Sequence, residues 1–359
     1  MAEPALSAHD RHPARDHGFH TLPVRRVVTE TADACSLVLD VPEDLREAFV
    51  YQAGQFTTLR VWIDGEPHLR CYSMSSSPAT DDDFTVTVKR VPNGIVSNWI
   101  NDFVAAGTGI ETTLPAGVFC LTEQAGDIVA FAAGSGITPI ISLLKSAVAT
   151  TSRHVRVLYA NRDLESTIFR AEIDSLVARH PDRIEVRHHL DVDDGFIDAD
   201  EVRGFAGTIP DGADVYICGP GPFMDIVEDT LLEAGVEHSA IHIERFTPAG
   251  ELSITEVPSD DAGSDAGATQ VTIELDGRTD TTGHRAGTTI LQVARQLGMS
   301  PPFSCEAGSC ATCMARLVEG SVEMHVNNAL TDEEVDDGWV LTCQSVPTSS
   351  TVRVVYGFE

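Results

Sequence analysis

The chain has 359 residues, enough for two or three domains, and carries 24 basic against 55 acidic residues, a net charge of −31. That charge repels phosphate, so neither nucleic acid nor an anionic membrane surface is an expected partner. The longest apolar runs, such as IVAFAA at 128–133, fall far short of a membrane span, and the polar opening MAEPALSAHDRHPARDHGFH has no apolar signal core. Together they point to a cytoplasmic protein with a loose arm over residues 1–21.

Residues 22–125 read as short strands: VRRVVTE, CSLVLDV, FTTLRVWI, HLRCYSM and FTVTVKRV are rich in β-branched and aromatic residues, with Gly, Pro and Asp between them. Strands without intervening helices predict an antiparallel β-barrel or sandwich, with one helix at GIVSNWINDFV (94–104). The pattern changes at residue 126. DIVAFAA, VRVLYA, IEVRHHL, DVYIC and IHIERF read as strands, alternating with helices at TPIISLLKSAVA, ESTIFRAEIDSLVARH and GPFMDIVEDTLLEAG. Such alternation predicts an α/β domain with a parallel sheet over 126–246.

Residues 247–270, TPAGELSITEVPSDDAGSDAGATQ, hold five acidic and no basic residues among Gly, Pro, Ser and Ala, the composition of a flexible linker. From residue 271 to 359 a compact unit opens on the strand VTIELDG. Its helix carries Ile290, Val293, Ala294 and Leu297 at helical spacing behind Thr288 and Thr289, which offer a cap. The run TDEEVDD (331–337) fits a solvated face or a surface that steers a basic electron acceptor. No internal repeat is evident.

Eight cysteines are present, four scattered before residue 250 and four gathered near the end. A disulfide framework belongs to short, secreted, evenly cysteine-rich chains, so reduced thiols and a ligand cluster are the better expectation. Cys305, Cys310 and Cys313 stand at C-x4-C-x2-C, and Cys343 follows thirty residues later. A zinc ribbon needs two C-x2-C pairs, whereas only Cys310–Cys313 is one. A thioredoxin-type pair would need neither Cys305 nor Cys343. The spacing is that of plant-type [2Fe–2S] ferredoxins, and the small Gly308, Ser309 and Ala311 let the loop aim backbone N–H groups at the cluster sulfurs. A zinc-bearing interaction module fused to a nucleotide sensor is the competing reading; it predicts a colourless protein.

A [2Fe–2S] centre carries one electron while a pyridine nucleotide gives two as hydride, so a flavin is expected between them. AAGSGITPI (132–140) follows a strand and opens a helix, where Gly134 and Gly136 let the backbone approach a pyrophosphate. A ligand-free turn fits that stretch alone nearly as well. CGPGPFM (218–224) makes a second turn at a strand's carboxyl end, where ligands of parallel sheets lie. In RCYSMSSSP (70–78), Arg70 offers a phosphate clamp and Tyr72 a stacking ring, though an ordinary half-exposed strand reads the same way.

Taken in order, RCYS, VKR…NGIVSNW, AAGSGITP, CGPGPFM and IERF resemble the ferredoxin–NADP reductase superfamily over about 22–246, and residues 271–359 resemble a plant-type ferredoxin of α+β, β-grasp fold. The resemblance implies that Arg70 binds the flavin pyrophosphate, Tyr72 lies against the isoalloxazine and Ser73 sits near the flavin N5. Lys89, Gly94 and Ser97 are implied to hold the FAD tail. Gly134, Gly136 and Thr138 are implied to receive the pyridine nucleotide. Cys218 and Gly219 are implied to lie near the nicotinamide, with Glu244 and Phe246 over the other flavin face. Cys305, Cys310, Cys313 and Cys343 are implied to ligate the cluster. The domain order resembles the reductases of multicomponent oxygenases, implying FAD, a [2Fe–2S] cluster and NADH as cofactors and a Rieske-type oxygenase as a transient partner. For coenzyme choice, Arg162 could pair with a 2′-phosphate and Asp163 accept from a 2′-hydroxyl; the likeness implies NADH.

Overall fold

The computed structural model describes residues 19–246 and 269–356, leaving aside positions 208, 211, 276, 286, 300, 304–307, 309, 310 and 328. Strands β1 (His20–Thr31), β2 (Ala34–Leu39), β3 (Phe56–Ile63), β4 (Glu66–Ser73) and β5 (Phe84–Lys89), helix α1 (Ile95–Phe103) and strand β6 (Gly109–Thr112) build the first unit. The expected antiparallel barrel forms, as a six-stranded sheet in the order β4–β3–β6–β1–β2–β5. An isolated bridge from Met74 to Val86 brings its two edges together. The period-2 pattern decides what faces where. Leu37, Leu39, Val86, Val88, Leu59 and Val61 point inward onto a core shared with Ile100 of α1. Ser36 and Thr87 point outward and hydrogen-bond each other at 2.8 Å. β1 starts at His20, inside the segment expected to be a loose arm; residues 1–18 of that arm lie outside the described residues.

The second unit runs β7 (Ile128–Ala133), α2 (Ile137–Thr150), β8 (Val155–Asn161), α3 (Arg170–Arg179), β9 (Ile184–Leu190), α4 (Asp191–Asp194), α5 (Ala199–Ala206), β10 (Asp214–Gly219), α6 (Gly221–Glu233) and β11 (Ile241–Arg245). Its five strands are all parallel, in the order β11–β10–β7–β8–β9. Strand order reverses between β7 and β10, so the carboxyl ends of those two strands open onto the crevice where such sheets bind ligands. Both strands are buried along their whole length, which is why they read as unbroken apolar runs. α3 begins later than the helix expected from Glu165. The Asp163 carboxylate accepts from the Ser166 N–H at 2.8 Å, and the Ser166 and Thr167 hydroxyls both donate to the Asp163 carbonyl. Those bonds commit 163–167 to a turn.

The third unit has β12 (Gln270–Leu275), β13 (Arg278–Gly283), α7 (Ile290–Gln296), β14 (Met314–Glu319), β15 (Val322–Met324), α8 (Asp332–Asp336), β16 (Trp339–Leu341), β17 (Ser345–Pro347) and β18 (Thr351–Val355). Its main sheet runs β13–β12–β18–β14–β16, with β12 and β18 parallel, and β15 pairs with β17. α7 packs Ile290, Val293 and Ala294 onto Val271, Ile273, Val352 and Val354, the arrangement expected of a β-grasp domain. Thr289 caps α7 in a reciprocal capping box with Gln292. The acidic run at 331–337 forms α8, started by a second box between Thr331 and Glu334. The linker expected at 247–270 falls almost entirely on residues 247–268, outside the described residues. Among the described residues no helix is long and apolar enough to cross a membrane.

Candidate active site

The crevice begins where β7 ends. Gly134 takes φ +53°, and its carbonyl accepts from the Tyr159 hydroxyl at 3.2 Å. A Cβ on Gly136 would lie 2.0 Å from the Cys218 carbonyl oxygen, so only glycine lets this turn close onto the end of β10. The Thr138 hydroxyl donates to Ser135 O at 2.9 Å. α2 then starts with no side chain capping its first N–H groups. A 3₁₀ turn at Gly134–Gly136, whose carbonyls accept the Ile137 N–H, leads into the fourteen residues of α2 with no side-chain cap at its start, and this helix end at the switch point suits an anion. These features fit a nucleotide pyrophosphate. Gly219 closes the far wall, where an added Cβ would meet Phe223 at 2.8 Å and Ala133 at 3.0 Å.

Next along the sheet edge, Cys218 of β10 is level with Glu244 of β11. Ser73, at the end of β4, donates its hydroxyl to Glu244 Oε2 at 2.9 Å, joining the barrel to the parallel sheet. Burial pushes the Glu244 carboxyl up to about 8 against the smaller opposing effect of the Ser73 bond. Burial first, then the Glu244 charge, pushes the Cys218 thiol well above its ordinary value. At this corner both the partly buried Glu244 carboxyl and the buried Cys218 thiol are shifted towards their protonated forms. Phe246, just past β11, packs half-buried against the core that includes Cys218 and Ile137.

On β4, Arg70 and Tyr72 share one face while Ser73 lies on the other. Arg70 is half-buried, donates to Leu69 O at 2.6 Å and has no carboxylate partner among the described residues. Burial lowers its pKa. A desolvated, unpaired guanidinium fits a phosphate. Burial raises the pKa of Tyr72, which packs at the rim of the barrel core. Gly94 precedes α1, whose first N–H groups likewise lack a side-chain cap. Ser97 Oγ accepts from the Val91 N–H at 3.0 Å and would sit 2.7 Å from a Cβ on Gly94, so these two residues shape the start of α1. Lys89, expected beside them, brings Nζ within 3.3 Å of where a Gly134 Cβ would be, so it stands at the junction with the nucleotide turn.

Of the cluster cysteines, Cys313 and Cys343 are described, and Cys305 and Cys310 lie outside the described residues. Met314 pairs with Leu341, and Thr342 donates both its N–H (3.3 Å) and its hydroxyl (2.7 Å) to Cys313 O. That ladder end brings the two buried cysteines together. Burial, then the charges of Cys313 and Cys343, raise the pKa of the nearby Tyr356 hydroxyl. Gly308 (φ +76°) would place a Cβ 2.5 Å from Val326 O, and Ala311 takes φ +51°, so the backbone is left-handed at these two positions. The two described sulfurs, both buried and free, fit ligands of a [2Fe–2S] cluster.

Two residues that sequence reasoning missed connect this domain to the flavin strand. Thr312, between Cys310 and Cys313, places its hydroxyl 3.1 Å from that of Thr58 on β3. Thr58 Oγ1 also lies 3.3 Å from Cys71 Sγ on β4. Threonines in a strand and a turn carry no local signal of such a contact. At the end of β8, Arg162 Nε is engaged by Asp163 Oδ2 at 2.7 Å, and Arg162, Ser166 and the Ser166 N–H hold the Asp163 carboxyl at about 2.

A flavin-binding barrel, a nucleotide-binding parallel sheet and a cysteine-loop domain in this order define a flavin and iron–sulfur oxidoreductase. Family models agree along the chain: an oxidoreductase FAD-binding domain matches residues 21–120, an oxidoreductase NAD-binding domain 131–229 and a 2Fe-2S iron-sulfur cluster binding domain 273–348. The chain is 39% identical to the ferredoxin reductase component of 3-ketosteroid-9-alpha-monooxygenase from Rhodococcus rhodochrous, over 95% of this chain and 98% of that one. It is 32% identical to one of the subunits of 1,2-phenylacetyl-CoA epoxidase from Escherichia coli, over 94% and 97%. Among solved structures, phthalate dioxygenase reductase, a modular structure for electron transfer from pyridine nucleotides to [2FE-2S], aligns at TM-score 0.57 and 26% identity over 94% of this chain and 98% of that one. The chain belongs to the ferredoxin reductase components of multicomponent monooxygenases, with FAD, NAD and a [2Fe–2S] cluster as its cofactors. The zinc reading of the cysteines falls with that match.

Proposed function

We propose that the protein is the NADH-dependent reductase of a cytoplasmic 3-ketosteroid 9α-hydroxylase, delivering electrons to a Rieske-type oxygenase component in steroid degradation. The single observation that carries its electron-transfer role is the position of the β3–β4 hairpin. At Ser73 it meets Glu244 of the nucleotide unit, and at Thr58 it meets Thr312 of the cluster loop. When bound, a flavin and a cluster would supply the conversion of a two-electron hydride into single electrons.

In this reading the units are 22–125 for FAD, 126–246 for NAD and 271–359 for the cluster, after an arm at 1–21 and with a linker at 247–270. Arg70 and the α1 N-terminus bind flavin phosphates, and Tyr72 backs the ring. Ser73 and Glu244 hold a proton beside it. Lys89, Gly94 and Ser97 hold the FAD tail, Gly134, Gly136 and Thr138 hold the nucleotide phosphates, Cys218 and Gly219 lie near the nicotinamide, and Glu244 and Phe246 close over the other flavin face. Cys305, Cys310, Cys313 and Cys343 ligate the cluster. The Arg162–Asp163 pair supports NADH, because a guanidinium already engaged by a carboxylate is a poor receptor for a 2′-phosphate.

The steroid assignment rests on the 3-ketosteroid-9-alpha-monooxygenase relatives. The test is reconstitution with NADH and separate oxygenase components. Hydroxylated steroid is expected with the 3-ketosteroid oxygenase. Equal or faster turnover with a phenylacetyl-CoA epoxidase or an aromatic-ring hydroxylase would contradict that assignment.

A further inference from the structure

α2 has a second job at its other end. Ser142, Lys145 and Ser146 follow at i, i+3 and i+4, one stripe of an otherwise apolar core helix. All three are buried, and all three grip the segment that leaves β4 just after Ser73. Ser142 Oγ donates to Ser76 O at 2.6 Å, and the Ser146 and Ser77 hydroxyls meet at 2.7 Å. The Lys145 side chain is only 9% exposed and its Nζ lies 2.6 Å from Asp81 Oδ2 of the barrel and 3.1 Å from Glu172 Oε1 on α3. Although burial pushes the Asp81 carboxyl up, Lys145, the Ser77 N–H and the Thr80 hydroxyl hold it below its ordinary value. Beside the stripe lies a polar cleft of about 370 Å³, lined by Glu30, Ser36, Ser75 and Phe169 among others. The two units are therefore not sealed by close apolar packing on this side.

A buried ion pair adds little net stability over an apolar contact of the same shape. What directional contacts add is a single register: sliding α2 by one turn, about 5.4 Å, would break all three. The first turn of α2 is the nucleotide end, and the first gripped residue, Ser76, lies three residues after Ser73. We infer that Lys145, Ser142 and Ser146 form a positioning clasp that sets the distance and angle between the nicotinamide and the flavin. This deepens the proposed function and rests on its placing of nucleotide at α2 and flavin at Ser73.

The test uses the FAD- and cluster-loaded protein, mixed anaerobically with NADH in a stopped-flow spectrophotometer. Lys145→Met should lower the limiting rate of flavin bleaching about tenfold or more, since a misplacement near 1 Å can cost about a hundredfold. It should also weaken the long-wavelength nicotinamide–flavin charge-transfer absorbance, with FAD content unchanged, and Lys145→Arg should recover part of both. The double variant Ser142→Ala, Ser146→Ala leaves no charge unpaired and should move the same two readouts the same way. A lowered melting temperature with rate and absorbance unchanged in that double variant would overturn the clasp, whether or not Lys145→Met folds. A wild-type flavin that NADH leaves oxidised would instead overturn the proposed function itself.

Discussion

Glu244 shows how one side chain ties chemistry to stability. Desolvation pushes the carboxyl of this partly buried residue up to about 8, well above the unfolded value of 4.5. The folded state therefore binds more protons than the unfolded one between those values, and stability falls as pH rises through that window. Glu244→Gln should flatten the decline in melting temperature from pH 5 to 8, measured as the difference between variant and wild type; parallel curves would contradict the assignment. Asp214 is the opposite case. It accepts from Arg153 at 2.5 Å, from His242 at 2.9 Å and from the Thr122 hydroxyl, and the Arg153 and Asp214 side chains are each 1% exposed. Asp214→Ala leaves a buried guanidinium unpaired, which should destabilise the nucleotide unit by about 3–5 kcal/mol in denaturant melts.

Among elements, the glycine turns separate function from tolerance. Gly136→Ala drives a Cβ into the Cys218 carbonyl and should slow NADH-dependent flavin reduction at least tenfold while FAD stays bound. Gly204→Ala, in an open position of α5, should leave that rate alone and raise stability by about 0.5–1 kcal/mol. Barrel strands, parallel-sheet strands and the glycine turns were legible because alternation, unbroken apolar runs and Gly spacing are local signals. β6 was not, since four residues beginning at a glycine carry too short a pattern. α5 was missed although its Asp198 cap, accepting from the Glu201 N–H, was readable as D-x-x-E. The clasp was hidden for another reason. Lys145 is the one cation of α2, but Asp81 is remote in sequence, so only the fold could pair them.

At the scale of the whole molecule, the cluster loop and the nucleotide crevice meet the same hairpin from different neighbours. Thr312→Arg should push the loop from Thr58 without touching the nucleotide site. NADH would then bleach the flavin band at the wild-type rate while the cluster band lags about tenfold or more; bleaching of both in step would show the contact to be idle. The cysteine spacing was legible, yet the Thr58–Thr312 contact joins residues 254 apart and leaves no trace in either local sequence. The most direct measurement is an anaerobic NADH titration of the purified protein followed by its visible spectrum. Flavin and iron–sulfur absorbance should both be present and both bleach with NADH. A colourless protein, or a flavin that NADH leaves oxidised, would contradict the assignment of this chain as an NADH-to-cluster reductase.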